Sequence, residues 1–152
     1  MTYEASSYLR ELRSAARRVS GRVEGLCRPL DAAALGWKPA PDAWSAAEIL
    51  DHLVRTAAPY VARIHRAIER SRAPGSGDAP PFRPRCLARL FLRLVDPASQ
   101  RRLPAPKRFR PVEQEASPQI LDRFLESQIE LEELITAAEG RDLNRPRFAS
   151  PI

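Results

Sequence analysis

The chain has 152 residues, of which 43% are hydrophobic and 29% are charged, and its formal net charge is +6. This length and composition predict one globular domain over residues 1–152 and exclude a disordered chain. All the basic residues except Lys38 and Lys107 are arginine, a bias that is typical of a GC-rich genome. The net charge alone therefore indicates no more than non-specific association with polyanions.

Neither a membrane protein nor a disulfide-stabilised protein is expected. No apolar run approaches the roughly 18 residues of a membrane-spanning helix, and the N-terminus lacks the features of a signal peptide. Two cysteines, Cys27 and Cys86, are too few for a disulfide framework, and neither has an activating base nearby in the sequence. We therefore expect a cytoplasmic protein with free, inert thiols.

The first predicted element is a helix from about Tyr3 to Leu26. Its apolar residues recur every three or four positions, which places them on one helical stripe. Arg28-Pro29 ends this helix, because proline disfavours helical geometry in the residue before it. Residues 29–43 are predicted to form a loop. The stripe consists of Ala5, Tyr8, Leu12, Ala15, Val19, Val23 and Leu26.

The second predicted helix has the clearest start in the chain. Ser45 and Glu48 form the pattern of a capping box, and Trp44 and Ile49 are placed to form a hydrophobic staple. An apolar stripe then continues to Ile68. Pro59 lies inside it and is expected to bend the helix, because proline removes a backbone donor.

The second half of the chain is predicted to contain one short and one long helix. Residues 71–84 are loop-like in composition, a short helix runs from about Arg85 to Val95, and residues 96–117 are mostly irregular. The long helix begins at Ser117-Pro118 and is capped by Gly140, and residues 141–152 form a tail. These elements predict an all-α bundle with at least one crossover connection.

The candidate site residues lie at the start of the second helix. Glu48 and His52 are four residues apart and share one helical face, which Thr56 extends. They are either part of a ligand or acid–base site, or a capping glutamate beside a histidine at the margin of the stripe. His65 is 13 residues from His52, about 140° around a straight helix, and is predicted to be a solvated position. No catalytic residue can be named.

Residues 83–110 combine arginines with Phe91 and Phe109, close to Phe82. Basic residues with interleaved aromatics can bind single-stranded nucleic acid or rest on an anionic membrane. However, the predicted short helix is barely three turns long, and a bundle would bury its apolar side. A solvated arginine-rich crossover is the better interpretation, so neither nucleic acid nor membrane is expected as a partner.

Residues 38–53 resemble the signature of the DinB-like superfamily. The similar features are a proline-containing approach, Trp44-Ser45, a glutamate three residues after the serine, and His52-Leu53. Tyr8-Leu9-Arg10 and the crossover from Leu103 to Pro111 are also similar. The resemblance implies a four-helix bundle of the up-down-down-up type, with a short extra helix in its crossover.

The resemblance implies a divalent metal such as Zn, Ni or Fe, which members of that family hold with three histidines. His52 matches the first ligand, and Glu48, one turn before it on the same helical face, would orient or support that ligand without binding the metal itself. The other two ligands normally come from a His-x-x-x-His pair on a final helix, which this sequence lacks before it stops at Ile152. The chain is therefore expected to be a C-terminally incomplete, truncated or degenerate member.

Two functions follow from the resemblance. One is a metal-dependent enzyme, a thiol S-transferase that uses a low-molecular-weight thiol or a hydrolase-like protein, or a remnant of one. The alternative is a non-catalytic helical interaction module that uses the apolar groove left open by the absent helix, since an exposed apolar patch favours association. A homodimer is one expected result of that exposure.

Overall fold

A computed structural model describes residues 4–71, 81, 105–112 and 119–144 of the chain. These residues form three long helices and two short helical segments, with no strand among them, so the predicted all-α class is confirmed. The elements are α1 (Ala5–Cys27), α2 (Ala32–Gly36), α3 (Ala46–Arg70), a 3-10 turn (Lys107–Phe109) and α4 (Ile120–Ala137). None of the described helices is long and apolar enough to cross a membrane.

The bounds of α1 and α3 agree closely with the sequence analysis, but the loop over residues 29–43 was wrong in part. It contains α2, a five-residue helix whose N-cap Asp31 accepts a hydrogen bond from the backbone N–H of Ala34 at 2.8 Å. Leu35 of α2 is buried in the core. The helix is too short to show an apolar period, which explains why the pattern missed it.

Several predicted features of the second half lie outside the described residues. They include the short helix from Arg85 to Val95 and the start of the last helix at Ser117-Pro118. Gln119 occupies the N-cap position of α4 as described, and it makes no side-chain capping bond. At the other end of α4 the C-cap is Ala138, two residues before the predicted Gly140, although Gly140 does adopt a left-handed conformation with φ of 72°.

The three long helices run up, down and down, in the order that the family resemblance implies. Three ion pairs join α1 and α4 or the residues directly after their ends, and they show that these helices are antiparallel, because the residue numbers rise along one helix as they fall along the other. The N-terminal halves of α3 and α4 share one core cluster, so these two helices run in the same direction. The pairs are Arg13–Glu139, Arg17–Glu132 and Arg28–Asp122.

The buried apolar residues form two clusters, one near each end of the bundle. The first cluster lies where α3 and α4 begin and is centred on Phe124, which is only 1% exposed. The second lies where α1 begins and α3 and α4 end. The first comprises Leu35, Ala47, Leu50, Ile120, Leu121 and Phe124, and the second comprises Leu9, Ile68, Leu134 and Ala138.

The predicted apolar stripe of α1 is only partly buried. Of its members Ala5 is buried, whereas Leu12, Val19 and Leu26 are 38%, 50% and 63% exposed, and Leu9, which was not assigned to the stripe, is in the core. Within the part of the chain that the structure describes, α1 packs chiefly against α4. The exposed part of the stripe therefore remains a surface.

Candidate functional site around His52

The start of α3 sets the direction in which the candidate residues point. Ser45 is buried, and its hydroxyl oxygen accepts a hydrogen bond from the backbone N–H of Glu48 at 3.2 Å. In return, the backbone N–H of Ser45 donates to the Glu48 carboxylate at 2.8 Å. The capping box predicted from the sequence is thus confirmed, and it satisfies two backbone donors that would otherwise lack partners.

Glu48 serves as a cap and an ion-pair partner. One carboxylate oxygen accepts from Ser45, and the other lies 2.8 Å from Nζ of Lys38. Burial raises the pKa of Glu48, but the hydrogen bonds from Lys38 and Ser45 outweigh it and hold the pKa below its ordinary value. Glu48 makes no hydrogen bond to His52 among the described residues, so its support of that ring stays a prediction.

His52 is half-buried, and a backbone carbonyl orients its ring. Nδ1 lies 2.6 Å from the carbonyl oxygen of Phe109, which is 57 residues away in the sequence. Because a carbonyl oxygen can only accept, Nδ1 must carry the hydrogen, and in the neutral ring the lone pair is on Nε2. Metal-binding histidines are commonly held by such a bond from the other ring nitrogen.

Trp44 forms one wall beside the His52 ring. The two ring centroids are 5.0 Å apart, and the planes are inclined by 53°. The hydrophobic staple between Trp44 and Ile49, which is 45% exposed, stays a prediction. The tryptophan ring thus lies in contact with the imidazole ring at the start of α3.

The 3-10 turn that supplies the carbonyl is anchored by its own aromatic side chain. Phe109 is buried, and the guanidinium carbon of Arg108 lies 4.8 Å from the centroid of its ring. The turn is closed by a hydrogen bond of 2.9 Å from the backbone N–H of Phe109 to the carbonyl of Pro106. The sequence does not predict this contribution, because the group that contacts His52 belongs to the backbone. The one signal of burial is an aromatic residue in a proline-rich segment.

Thr56 lies one turn beyond His52 on the face that the sequence analysis singled out. Its hydroxyl oxygen is buried and has no hydrogen-bond partner among the described residues. A buried hydroxyl without a partner costs about 1–3 kcal/mol, so such groups usually mark the place of a water molecule or a polar ligand.

The other predicted residues lie away from this site. His65 is 62% exposed and faces Glu69 at 3.4 Å, which confirms the solvated position. Cys27 is half-buried against the first core cluster, whereas Cys86 lies outside the described residues. Of the aromatics in the arginine-rich segment, Phe109 is buried and unable to stack on a base, and Phe82 and Phe91 are not described. No group of three or more metal-ligating side chains occurs among the described residues.

A family model described as the DinB superfamily matches residues 15–152, which is most of the chain. No curated protein and no solved structure matches the chain.

Proposed function

The chain belongs to the DinB superfamily, and from this premise we propose that it binds a divalent metal through Nε2 of His52, as a metal-dependent enzyme or as a remnant of one. The reaction class proposed is transfer to a low-molecular-weight thiol or hydrolysis. The observation that supports this proposal best is the 2.6 Å contact between Nδ1 of His52 and the carbonyl of Phe109. It leaves the other nitrogen available as a ligand.

The residues present fit one metal ligand and its polar surroundings. The 152 residues contain only two histidines, and His65 is exposed on another face of α3, so these residues cannot form a three-histidine site. The buried hydroxyl of Thr56 is suited to hold a water molecule or a substrate oxygen near the ring. When bound, Zn, Ni or Fe would lower the pKa of a coordinated thiol or water. The further ligands would come from residues outside those described, from a partner or from solvent.

Metal binding by the purified chain tests this proposal. Titration calorimetry with Zn²⁺ and Ni²⁺, and anaerobically with Fe²⁺, should show binding that His52→Ala abolishes and His65→Ala leaves unchanged. Affinity should be modest, because one imidazole is a weak site by itself. Equal binding by the parent chain and by His52→Ala, or no binding by the parent, would contradict the proposal.

A second candidate is a helical interaction module whose partner is another copy of this chain. The exposed side chains of Leu12, Val19 and Leu26 favour it. They are seven residues apart, so each is displaced by only about 20° from the one before, and the three form a single apolar line on α1. Such a line is typical of a helix that packs against another helix.

Sedimentation velocity distinguishes the second candidate from a monomeric enzyme. The chain should show a concentration-dependent dimer, and Val19→Glu should reduce its affinity at least tenfold, because a charge would be buried in the interface. Glu24→Gln, exposed on the same helix, is the matched control. A monomer at all accessible concentrations would exclude this candidate and leave the metal-binding proposal unaffected.

A further inference from the structure

The segment that presents the Phe109 carbonyl is tied to α3 at a second point. Asp51, the residue immediately before His52, accepts a hydrogen bond through Oδ2 from the backbone N–H of Val112 at 3.3 Å. The same oxygen accepts from Nε of Arg55 at 2.8 Å. Asp51 and His52 are consecutive residues of α3, and they therefore bond to Val112 and Phe109, which are three residues apart in the segment 105–112.

The bond between Asp51 and Val112 restrains the segment that carries the Phe109 carbonyl. The bond from the Val112 N–H to the Asp51 carboxylate is long at 3.3 Å, so it restrains the segment without the strength of a short charge-assisted bond. Arg55 keeps the Asp51 carboxylate in place, since the two lie four residues apart on one face of α3. Val112, and with it the preceding turn, is thus restrained from the same helix that carries His52.

We propose that Asp51 is a positioning residue for His52: by holding Val112 it keeps the carbonyl of Phe109 against Nδ1 and so keeps the lone pair of the neutral ring on Nε2. The inference rests on the proposed function only in regarding Nε2 as a metal ligand. The inference concerns which nitrogen of the His52 ring carries the hydrogen in the metal-free protein, and this is measurable without metal or substrate.

Nitrogen-15 NMR of the metal-free protein tests the inference, because Nδ1 and Nε2 resonate at different frequencies according to which one carries the hydrogen. Spectra are recorded at increasing pH until the His52 signals no longer change, so that they report the neutral ring. The chain has only two histidines, and the exposed ring of His65 supplies an internal reference.

Asp51→Ala should lower the ratio of the Nδ1–H to the Nε2–H tautomer of His52 by about threefold to tenfold, the effect of losing a fixed acceptor of ordinary strength. Asp51→Asn should keep most of the ratio, because its amide oxygen still accepts from Val112. Arg55→Gln should also keep most of it, since it removes the ion pair but not the acceptor. An unchanged ratio in Asp51→Ala, or a fall in Asp51→Asn as large as in Asp51→Ala, would overturn the inference.

Val112→Pro tests the same hydrogen bond by removing its donor, the backbone N–H, while leaving Asp51 intact. It should lower the ratio as much as Asp51→Ala, and it decides the matter if Asp51→Ala does not fold. An unchanged ratio in Val112→Pro would show that the burial of Phe109 alone holds the carbonyl, which overturns the inference.

Metal titration of the same variants separates this inference from the proposed function. A fall in the tautomer ratio without any metal binding by the parent would support the role of Asp51 and contradict the metal site. Metal binding that depends on His52, with the ratio unaffected by Asp51→Ala, would support the metal site and overturn the role of Asp51.

Discussion

The two ends of the bundle are held together in different ways. Where α3 begins, a local capping box and the first core cluster around Phe124 define the structure. Where α3 ends, the apolar cluster is smaller, and a long-range polar contact supplements it. Nη1 of Arg141, beyond the end of α4, donates to the backbone carbonyls of Ile68 and Ser71 at 2.8 and 2.9 Å and to the Ser71 hydroxyl at 3.0 Å.

This difference shows that the polar backbone groups at a helix end can be satisfied by residues nearby in the sequence, with or without a further side chain from a distant part of the chain. At the start of α3 the donors left over by helix geometry are satisfied within four residues of the chain. At its end the Ile68 carbonyl accepts locally from the backbone N–H and the hydroxyl of Ser71, and Arg141 donates in addition to the carbonyls of Ile68 and Ser71 from 73 and 70 residues away. The residues after α4 were expected to form a tail, and Arg141 corrects this: at least its first residue is part of the bundle.

Phe124→Ala should have the largest effect on stability, because it empties the centre of the first core cluster. We expect a loss of about 3–5 kcal/mol in the free energy of unfolding, measured by urea denaturation. Ile129→Ala, an exposed apolar residue of the same helix, is the control and should cost less than about 0.5 kcal/mol. Similar losses for the two variants would mean that the first core cluster does not dominate this end.

Arg141→Ala should have the next largest effect, since it leaves the Ser71 carbonyl without this donor and removes the link between the ends of α3 and α4. The Ile68 carbonyl keeps the bonds from the backbone N–H and the hydroxyl of Ser71. The expected loss is about 1–3 kcal/mol. Arg123→Ala, exposed on α4, should change the free energy of unfolding by less than about 0.5 kcal/mol. If both variants unfolded at the same urea concentration, the contrast between the two ends would be wrong.

Glu48→Gln should cost about 0.5–1.5 kcal/mol at pH 7, because the amide weakens the cap and loses the pairing with Lys38. Since the pKa of Glu48 is lower in the folded chain than its ordinary value of 4.5, the unfolded chain binds this proton first on acidification. The stabilisation is therefore complete above about pH 5 and is lost as the pH falls through the folded-state pKa. Urea unfolding of both chains at pH 7 and pH 3 should show the gap narrowing.

The control for this prediction is Glu130→Gln, exposed on α4, whose difference from the parent chain should be small at both pH values. A gap between Glu48→Gln and the parent that widened at pH 3 would contradict the sign of the pKa shift.

The ion pair between Arg17 and Glu132, between the two ends, should have the smallest effect. The atoms are 2.7 Å apart, but the Arg17 side chain is 66% exposed. A double-mutant cycle should give a coupling energy below about 1 kcal/mol, decreasing with added salt. A coupling above 2 kcal/mol, independent of salt, would show that α1 is held to α4 by charge rather than by apolar contact.

The site was predicted in part, and the division follows the range of the interactions. The capping box, and with it the direction of Glu48 and His52, depends on residues three and four apart, so their spacing in the sequence was sufficient. The partner of Nδ1 is a carbonyl from a 3-10 turn 57 residues away, and no side-chain pattern encodes a carbonyl. The tie between Asp51 and Val112 was unpredictable for the same reason.

By itself the sequence determined the all-helical class, the bounds of α1 and α3 within a few residues, and the family, since these depend on the period of apolar residues and on local motifs. Only the tertiary structure decided which residues of the α1 stripe are buried, where Arg141 binds and which nitrogen of His52 carries the hydrogen. Each of these depends on groups brought together from distant parts of the chain, and periodicity places a residue on a face without specifying what packs against it.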